Sequence, residues 1–172
     1  MSQINVNTIA NLSGTTAMTV DSSGFVTKPN HPAFVVRPSA TQENITPAGW
    51  VTVSFASTVY DPNSDFDFSN MYYVAPVSGV YIFTANIRLQ TVDSAGSYYQ
   101  SRVNVSSPAN IYYYELIDIS RFSADLSYYT PNGAVIAYVN AGANVKLEIY
   151  QGGGTQQTDI GIDTTFSGAL IG

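Results

Sequence analysis

The sequence predicts an all-β protein, a sandwich of about ten antiparallel strands, and three observations support this fold class. Several short stretches alternate apolar and polar side chains, which is the period of a strand with one buried face. Turn signals rich in Gly, Pro, Asn and Asp separate these stretches at intervals of roughly 8–12 residues. No stretch shows a convincing helical period. One β domain with a short appendage is the natural interpretation of 172 residues.

The strand with the clearest pattern is predicted at residues 80–89. Its inner face is expected to carry Tyr81, Phe83, Ala85, Ile87 and Leu89. Residues 76–79 form a turn signal in which Gly79 tolerates a positive φ. A shorter strand is predicted at residues 71–74, after an acidic and aromatic loop at residues 61–68.

The remaining strands of this domain follow from the same alternation. They are predicted at residues 33–37, 50–55, 98–105, 111–119, 126–129, 134–139, 145–150 and 164–171. Asn132 and Gly133 are a turn signal before the strand at residues 134–139. The glycine-rich stretch at residues 151–157 predicts a flexible loop.

Residues 1–30 differ from the rest of the chain and are interpreted as an attachment or oligomerisation arm. Short polar strands are predicted at residues 3–9, 15–20 and 25–27, and two prolines at residues 28–32 separate the arm from a head at residues 31–172. The arm has too few apolar residues for a core of its own, so identical copies or a partner protein must order it. A disordered polar tail is the alternative.

Composition and charge exclude several classes of function. The net charge is −6 with only six Lys plus Arg, which disfavours nucleic-acid binding. No apolar run approaches the ~20 residues of a membrane-spanning helix, so we expect no membrane insertion. The chain has no cysteine and no pattern of a secretory signal, which favours assembly in a reducing cytoplasm.

Candidate catalytic and metal-binding residues are few, and we expect no enzyme, no cofactor and no metal site. His31 is the only histidine, and no nucleophile motif accompanies it. Acidic residues that could hydrolyse a glycoside or bind calcium are Asp61, Asp65, Asp67, Asp159 and Asp163. They lie in turns, where Asp is favoured for local hydrogen bonds to the backbone, and no Glu or Gly follows at the spacing of a calcium loop.

A specific family resemblance lies in the central third of the chain. Seven residues occur in the order and at the spacing of the complement C1q globular-domain signature: Phe55, Asp61, Phe66, Tyr73, Gly79, Tyr81 and Phe83. The first and last strands of that family are similar to residues 32–34 and 166–171, which contribute Phe34, Phe166, Gly168 and Leu170. The resemblance covers residues 31–172 and implies a tumour-necrosis-factor-like jelly roll, with these residues in its core or at its turns. The sequence departs from the family at Tyr73, where Phe is usual, and at Ala85, where an aromatic residue is expected.

Tyrosines in runs are the candidate binding residues of the head. Adjacent side chains of a strand point to opposite faces, so each run sends at least one ring outward. The candidates are Tyr98, Tyr112, Tyr114 and Tyr128. The resembled family forms compact trimers through a flat, aromatic-rich flank, which implies a homotrimer, and outward rings also suit stacking against sugars.

The arm is similar to N-terminal segments of bacteriophage fibre and other virion proteins. The predicted function is therefore a virion structural protein, a short trimeric fibre, spike or head decoration displayed on the particle surface. Residues 1–30 would dock on other virion proteins, and the head would bind a host-surface carbohydrate. The alternative is a non-viral recognition module of the C1q or tumour-necrosis-factor type, which normally has a secretion signal and often a collagen stalk.

Overall fold

The computed structural model of the protein describes residues 6–172 and confirms the all-β fold class. Its strands are β1 (Thr8–Ala10), β2 (Thr16–Val20), β3 (Val26–Thr27), β4 (Ala33–Arg37), β5 (Trp50–Thr52), β6 (Ser57–Tyr60), β7 (Phe66–Asp67), β8 (Tyr72–Val74), β9 (Gly79–Asn86), β10 (Leu89–Val92), β11 (Tyr98–Ser106), β12 (Ala109–Asp118), β13 (Leu126–Tyr129), β14 (Asn132–Val139), β15 (Asn144–Gln151), β16 (Asp159–Ile160) and β17 (Thr165–Leu170). One turn of 3-10 helix, Ile119–Arg121, follows β12. Within residues 6–172 there is no helix long and apolar enough to span a membrane.

The arm forms a small sheet of its own. Strands β1, β2 and β3 pair antiparallel in that order, and the first residues of the strand predicted at 3–9 lie outside the described residues. Its turns are held by side chains that accept from the backbone: Asn11 from Ser13 and Thr15, and Asp21 from Ser23 and Phe25. The sheet has no buried apolar side chain, because its residues are all exposed or half-exposed.

The head is a sandwich of two antiparallel sheets with jelly-roll connections. The five-stranded sheet has the order β14-β9-β17-β4-β6. The six-stranded sheet has the order β12-β11-β15-β8-β7, and β5 also pairs with β15. A small sheet, β13-β10-β16, closes one end of the sandwich.

The strand predicted at residues 80–89 is two strands in different sheets. The ladder of β9 ends at Asn86 because the next backbone N–H groups bond elsewhere, Ile87 to the Pro131 carbonyl at 2.9 Å and Arg88 to Thr164 Oγ1 at 2.9 Å. The alternation survives the break, and Ile87 and Leu89 are buried as predicted. The short strands β6, β7 and β16 were not predicted.

Two turn predictions were wrong. Asn132 and Gly133 belong to β14, paired with Asn86 and Ala85, and not to the turn before it. Gly79 is the first residue of β9 and has no positive φ. A larger residue would be crowded at this position, because a Cβ would lie 2.5 Å from Leu170 Cδ1. Each glycine leaves room for a neighbouring side chain, that of Leu170 beside Gly79 and that of Tyr114 beside Gly133, and neither forms a turn.

A cluster of seven aromatic rings holds the two sheets together. The rings belong to Phe34, Phe55, Phe66, Tyr73, Tyr81, Phe83 and Phe166, all at most 5% exposed. Phe34 is central: its ring centroid is 4.4 Å from that of Tyr73 and 5.0 Å from that of Phe166. Such pairs stabilise a core by about 0.5–1.5 kcal/mol each beyond the burial of their area. The cluster contains every aromatic residue of the family signature.

The two departures from the family pattern differ in how they suit this core, because Ala85 is accommodated and the hydroxyl of Tyr73 is buried without a partner. Ala85 lies directly opposite Phe166 on β17, so a large neighbouring ring fills the space that an aromatic residue would occupy. Burial raises the pKa of Tyr73, and its hydroxyl has no hydrogen-bond partner among residues 6–172. Tyr81, by contrast, donates its hydroxyl to the Val77 carbonyl at 2.8 Å.

A buried aspartate joins the loops at one end of the head. Asp93 is 3% exposed, and its carboxylate accepts from the Ala95 N–H at 2.8 Å, from Thr155 Oγ1 at 2.8 Å and from the Thr155 N–H. The loop predicted to be flexible at residues 151–157 is therefore anchored to the β10–β11 loop. Burial disfavours the ionised carboxylate, but these hydrogen bonds outweigh it and lower the pKa of Asp93.

Gly168 provides a test of the close packing in this core. A Cβ at this position would lie 2.6 Å from Phe83 Cδ1 and 2.7 Å from Phe34 Cε1. We expect Gly168→Ala to lower the free energy of unfolding by about 1–3 kcal/mol through overpacking. Gly49→Ala is the control, because nothing lies within 4 Å of a Cβ there. Equal stability of the two variants in urea denaturation would contradict the packing described here.

The Asp93 network makes stability depend on pH. A carboxylate whose pKa is lower in the folded state stabilises that state above its unfolded pKa of about 3.9 and loses the effect as the pH falls through the folded value. We expect Asp93→Asn to lower the free energy of unfolding at pH 7 by about 1–3 kcal/mol. The difference from the parent should shrink toward pH 3. Asp163→Asn is the exposed control, and a deficit for Asp93→Asn that is constant from pH 7 to pH 3 would refute the charge-dependent part.

Candidate functional site

Acidic residues of the loop at residues 61–68 accept hydrogen bonds from the backbone of that loop and its neighbours. Both carboxylate oxygens of Asp61 accept hydrogen bonds, one from the Asp65 N–H at 3.0 Å and the other from the Phe66 N–H at 3.0 Å. This turn directs Phe66 into the aromatic cluster. Asp67 accepts from the N–H groups of Ser69 and Asn70. Within residues 6–172 no group of three acidic or histidine side chains is arranged to hold a metal ion.

His31 lies at the boundary between arm and head. It lines a surface depression with residues of β2 and of the linker, among them Thr16, Lys28 and Asn30. The Asn30 side chain donates to the Thr16 carbonyl at 3.0 Å, which ties the linker to the arm. Among the described residues, no acidic side chain lines this depression.

Away from Arg37 at the exposed end of β4, the outer face of the five-stranded sheet is mostly apolar and uncharged. Its outward side chains, here called the assembly face, are Ala33, Val35, Tyr60, Val80, Ile82, Thr84, Ala134, Ile136, Tyr138, Ser167 and Ala169. Ile136 is 62% exposed and Tyr138 is 51% exposed. The strand register aligns Ile136, Ile82 and Ala169 in one row across the sheet. A shallow depression on this face is lined by apolar residues, among them Ile82 and Ala169 of the row, together with Tyr60, Thr84 and Ser167.

The outer face of the six-stranded sheet, in contrast, combines aromatic rings with charged and amide side chains. Four partly exposed rings, here called the aromatic face, lie next to one another: Trp50, Tyr98, Tyr113 and Tyr150. The Trp50 ring centroid is 5.4 Å from that of Tyr150 and 6.1 Å from that of Tyr113. Tyr98 stacks on Tyr150 with centroids 5.5 Å apart. Burial and the neighbouring Tyr150 raise the pKa of Tyr98.

Charged and amide side chains lie beside these rings on the same face. The Arg102 guanidinium carbon is 3.7 Å from the Trp50 ring centroid, and Arg102 Nε donates to Glu148 Oε2 at 2.6 Å. Asn104 also donates to Glu148 Oε2, at 3.3 Å. The next pair of β11 and β15 on this face is Asn104 with Lys146. A polar cleft lined by Asn104, Ser106, Asn144, Lys146 and Glu148 opens here.

The structure separates the four candidate tyrosines. Tyr98 belongs to the aromatic face. Tyr128 is 55% exposed at the closed end of the sandwich, with the Arg88 guanidinium 4.1 Å from its ring centroid. Tyr112 and Tyr114 are half-buried and pack against the core rather than outward. Tyr114 donates its hydroxyl to the Phe83 carbonyl at 3.0 Å, and burial raises its pKa.

In the run of three tyrosines at residues 112–114, the middle one points outward. Tyr113 is 53% exposed, because the register pairs it with the outward Arg102 of β11. A bulge gives β12 one extra residue between Tyr113 and Leu116, which turns Glu115 toward Tyr129 and Asn132.

The candidate site residues identified from the sequence did not include Trp50, Arg102 and Glu148. Their signal was available, since the only tryptophan and the charged residues occupy outward positions of predicted strands.

Comparison with known proteins gives the family of the head. The sequence model of the C1q domain matches residues 33–171. Comparison with curated protein sequences found no match. None of the findings supports the resemblance of the arm to bacteriophage proteins, since the family match begins after the arm.

Solved structures with the same fold are similar to most of the chain. The globular domain of zebrafish complement 1qA protein matches with a TM-score of 0.63 and 20% identity, covering 83% of this chain and 98% of that chain. Murine APRIL matches with TM-scores of 0.57 at pH 8.0 (10% identity) and 0.58 at pH 8.5 (9% identity), each covering 83% of this chain and 100% of that chain. These likenesses confirm the jelly roll. Because the C1q model matches well over half of its length, this chain belongs to the C1q-domain family.

Proposed function

We propose that this protein is a homotrimeric recognition head in which three copies bury their assembly faces and display the remaining surface to a ligand. The observation that carries the proposal is the exposed, uncharged row of Ile136, Ile82 and Ala169 on the five-stranded sheet. Interface cores are depleted of charged residues and enriched in aromatic ones. An exposed apolar patch of this kind marks a contact surface.

Family membership supports the same assembly. C1q-like and tumour-necrosis-factor-like domains are typically trimeric ligand-binding modules without catalytic activity. The assembly face of this chain has flat, small residues in its middle, such as Ala33 and Ala169, and bulkier ones at its sides, such as Tyr60 and Tyr138. A neighbouring copy can therefore approach the sheet closely at its centre.

Attachment of the trimer through its arm is the second part of the proposal. The arm sheet exposes large apolar side chains that no described residue covers: Ile9, Leu12, Phe25 and Val26. Phe25 is 70% exposed on a sheet that lacks a core. These side chains support docking on another protein surface. We propose a virion as the particle that carries the trimer and a host-surface carbohydrate as its ligand, and the alternative is a non-viral recognition module with the same head.

The trimer is tested by the mass in solution of full-length chains and of chains lacking residues 1–30. Both are expected at about three times 18.5 kDa or its truncated equivalent, because the assembly face lies in the head. Ile136→Glu should give a monomer at the same concentration, since an unpaired charge would be buried in the interface. Ile162→Glu is the matched control, an isoleucine of 51% exposure outside the assembly face. A trimeric Ile136→Glu variant with native circular dichroism would refute the assembly face.

The arm is tested separately by attachment. Trimers lacking residues 1–30 are expected to remain folded and to lose co-sedimentation with purified virus particles that full-length trimers bind. Replacing Leu12 and Phe25 with Ser should weaken attachment in the same direction, because it removes the exposed apolar contact. Undiminished co-sedimentation of the truncated trimer would show that the head, and not the arm, makes the attachment.

A further inference from the structure

We propose that the outer face of the six-stranded sheet is a binding site for a neutral carbohydrate. The sugar ring would stack on the aromatic face, and its hydroxyl groups would bond to the polar cleft beside it. This inference rests on the proposed recognition function and adds to it the location of the site and the chemical class of the ligand.

The aromatic face provides the apolar half of the site. Trp50, Tyr150 and Tyr98 form a continuous series in which neighbouring centroids are 5.4 and 5.5 Å apart, and Tyr113 extends it on the other side of Trp50. The rings come from four separate strands of one sheet, so backbone pairing fixes their spacing before a ligand arrives. A rigid, pre-formed aromatic surface loses little conformational entropy on binding.

A contribution to stability does not readily explain the ion pair of Arg102 and Glu148 beside the rings. The side chains of Arg102 and Glu148 are 13% and 11% exposed. Desolvation of two ions often exceeds their mutual attraction, and an apolar pair of similar size would stabilise the sheet equally well or better. Arg102 contacts the Trp50 ring and Glu148 at once, so the pair sets the position of the tryptophan relative to the polar cleft.

The polar cleft retains both donors and acceptors for a ligand. Among residues 6–172, Arg102 donates only through Nε, and Glu148 Oε1 accepts no hydrogen bond. Lys146 forms no ion pair with these residues and lies with Nζ 5.5 Å from the Tyr72 ring centroid. The Lys146 ammonium and the Glu148 carboxylate within this cleft, with the Arg102 guanidinium beside it, can bond neighbouring hydroxyls of a sugar, because each hydroxyl both donates and accepts.

The negative net charge of the protein, and not the single Lys146 of the cleft, favours a neutral sugar over an anion. Glu148 balances Arg102, which leaves Lys146 as the one uncompensated charge of the cleft. The protein as a whole has a net charge of −6, which repels sialylated or phosphorylated ligands. A neutral pyranose also has an apolar C–H face that matches the ring surfaces. The assembly face lies on the opposite sheet, so trimer formation leaves three copies of this site exposed.

The experiment is an intrinsic fluorescence titration of the full-length trimer with lactose, maltose, cellobiose and chitobiose. Trp50 is the only tryptophan, so a saccharide-dependent change in emission, with protection from acrylamide quenching, reports binding at this face. We expect saturation by at least one of these sugars. Affinity measured by calorimetry should fall at least about tenfold in Trp50→Ala and in Asn104→Ala. Trp50→Phe preserves the ring and should retain most of the affinity.

Tyr128→Ala is the matched control, because Tyr128 is an exposed tyrosine with an arginine over its ring on another part of the head. Its affinity should equal that of the parent. The proposal is overturned if no neutral sugar binds, if Trp50→Ala and Asn104→Ala bind as well as the parent, or if sialyllactose binds more tightly than lactose. Selective loss of binding to a protein partner in Trp50→Ala, without sugar binding, would also overturn it. Light scattering on the same samples separates these outcomes from failure of the proposed trimer.

Discussion

The contact of seven aromatic rings between the two sheets is the constraint on which the rest of the structure depends. Phe34 and Phe166 lie in the first and last strands of the head, and their rings meet in the core. Once these rings are buried, the period of two along each strand assigns every neighbouring residue to an outer face. The composition of both outer faces is therefore fixed by the same register that builds the core.

The two outer faces differ in chemistry, and this difference separates assembly from recognition in the proposed function. The assembly face offers aliphatic and small side chains without charge, which suits close approach of another copy. The aromatic face combines Trp50 with Arg102 and Glu148, which suits a small polar ligand. In the proposed trimer the second face is present three times, so weak single contacts would add by avidity.

The acidic residues act on the backbone of loops. Asp61 holds the turn that delivers Phe66 to the core, and Asp93 joins two loops at one end of the head. The carboxylate oxygens of both residues accept hydrogen bonds from N–H or hydroxyl donors of these loops. Asp61 and Asp67, two aspartates of the acidic series in the sequence, thus hold the backbone of their loop.

The sequence by itself determined the strands, the buried aromatic residues and the family of this protein, because alternation and the spacing of the signature depend only on neighbours along the chain. It could not determine which of Tyr112, Tyr113 and Tyr114 points outward, because that depends on a bulge in β12 and on its register with β11. It could not place the break after Asn86, which depends on hydrogen bonds that the Ile87 and Arg88 N–H groups donate to Pro131 and Thr164, residues distant in the sequence. The tertiary structure alone brought Trp50, Arg102 and Glu148 together, because they lie on three strands that are adjacent only after the sheet has formed.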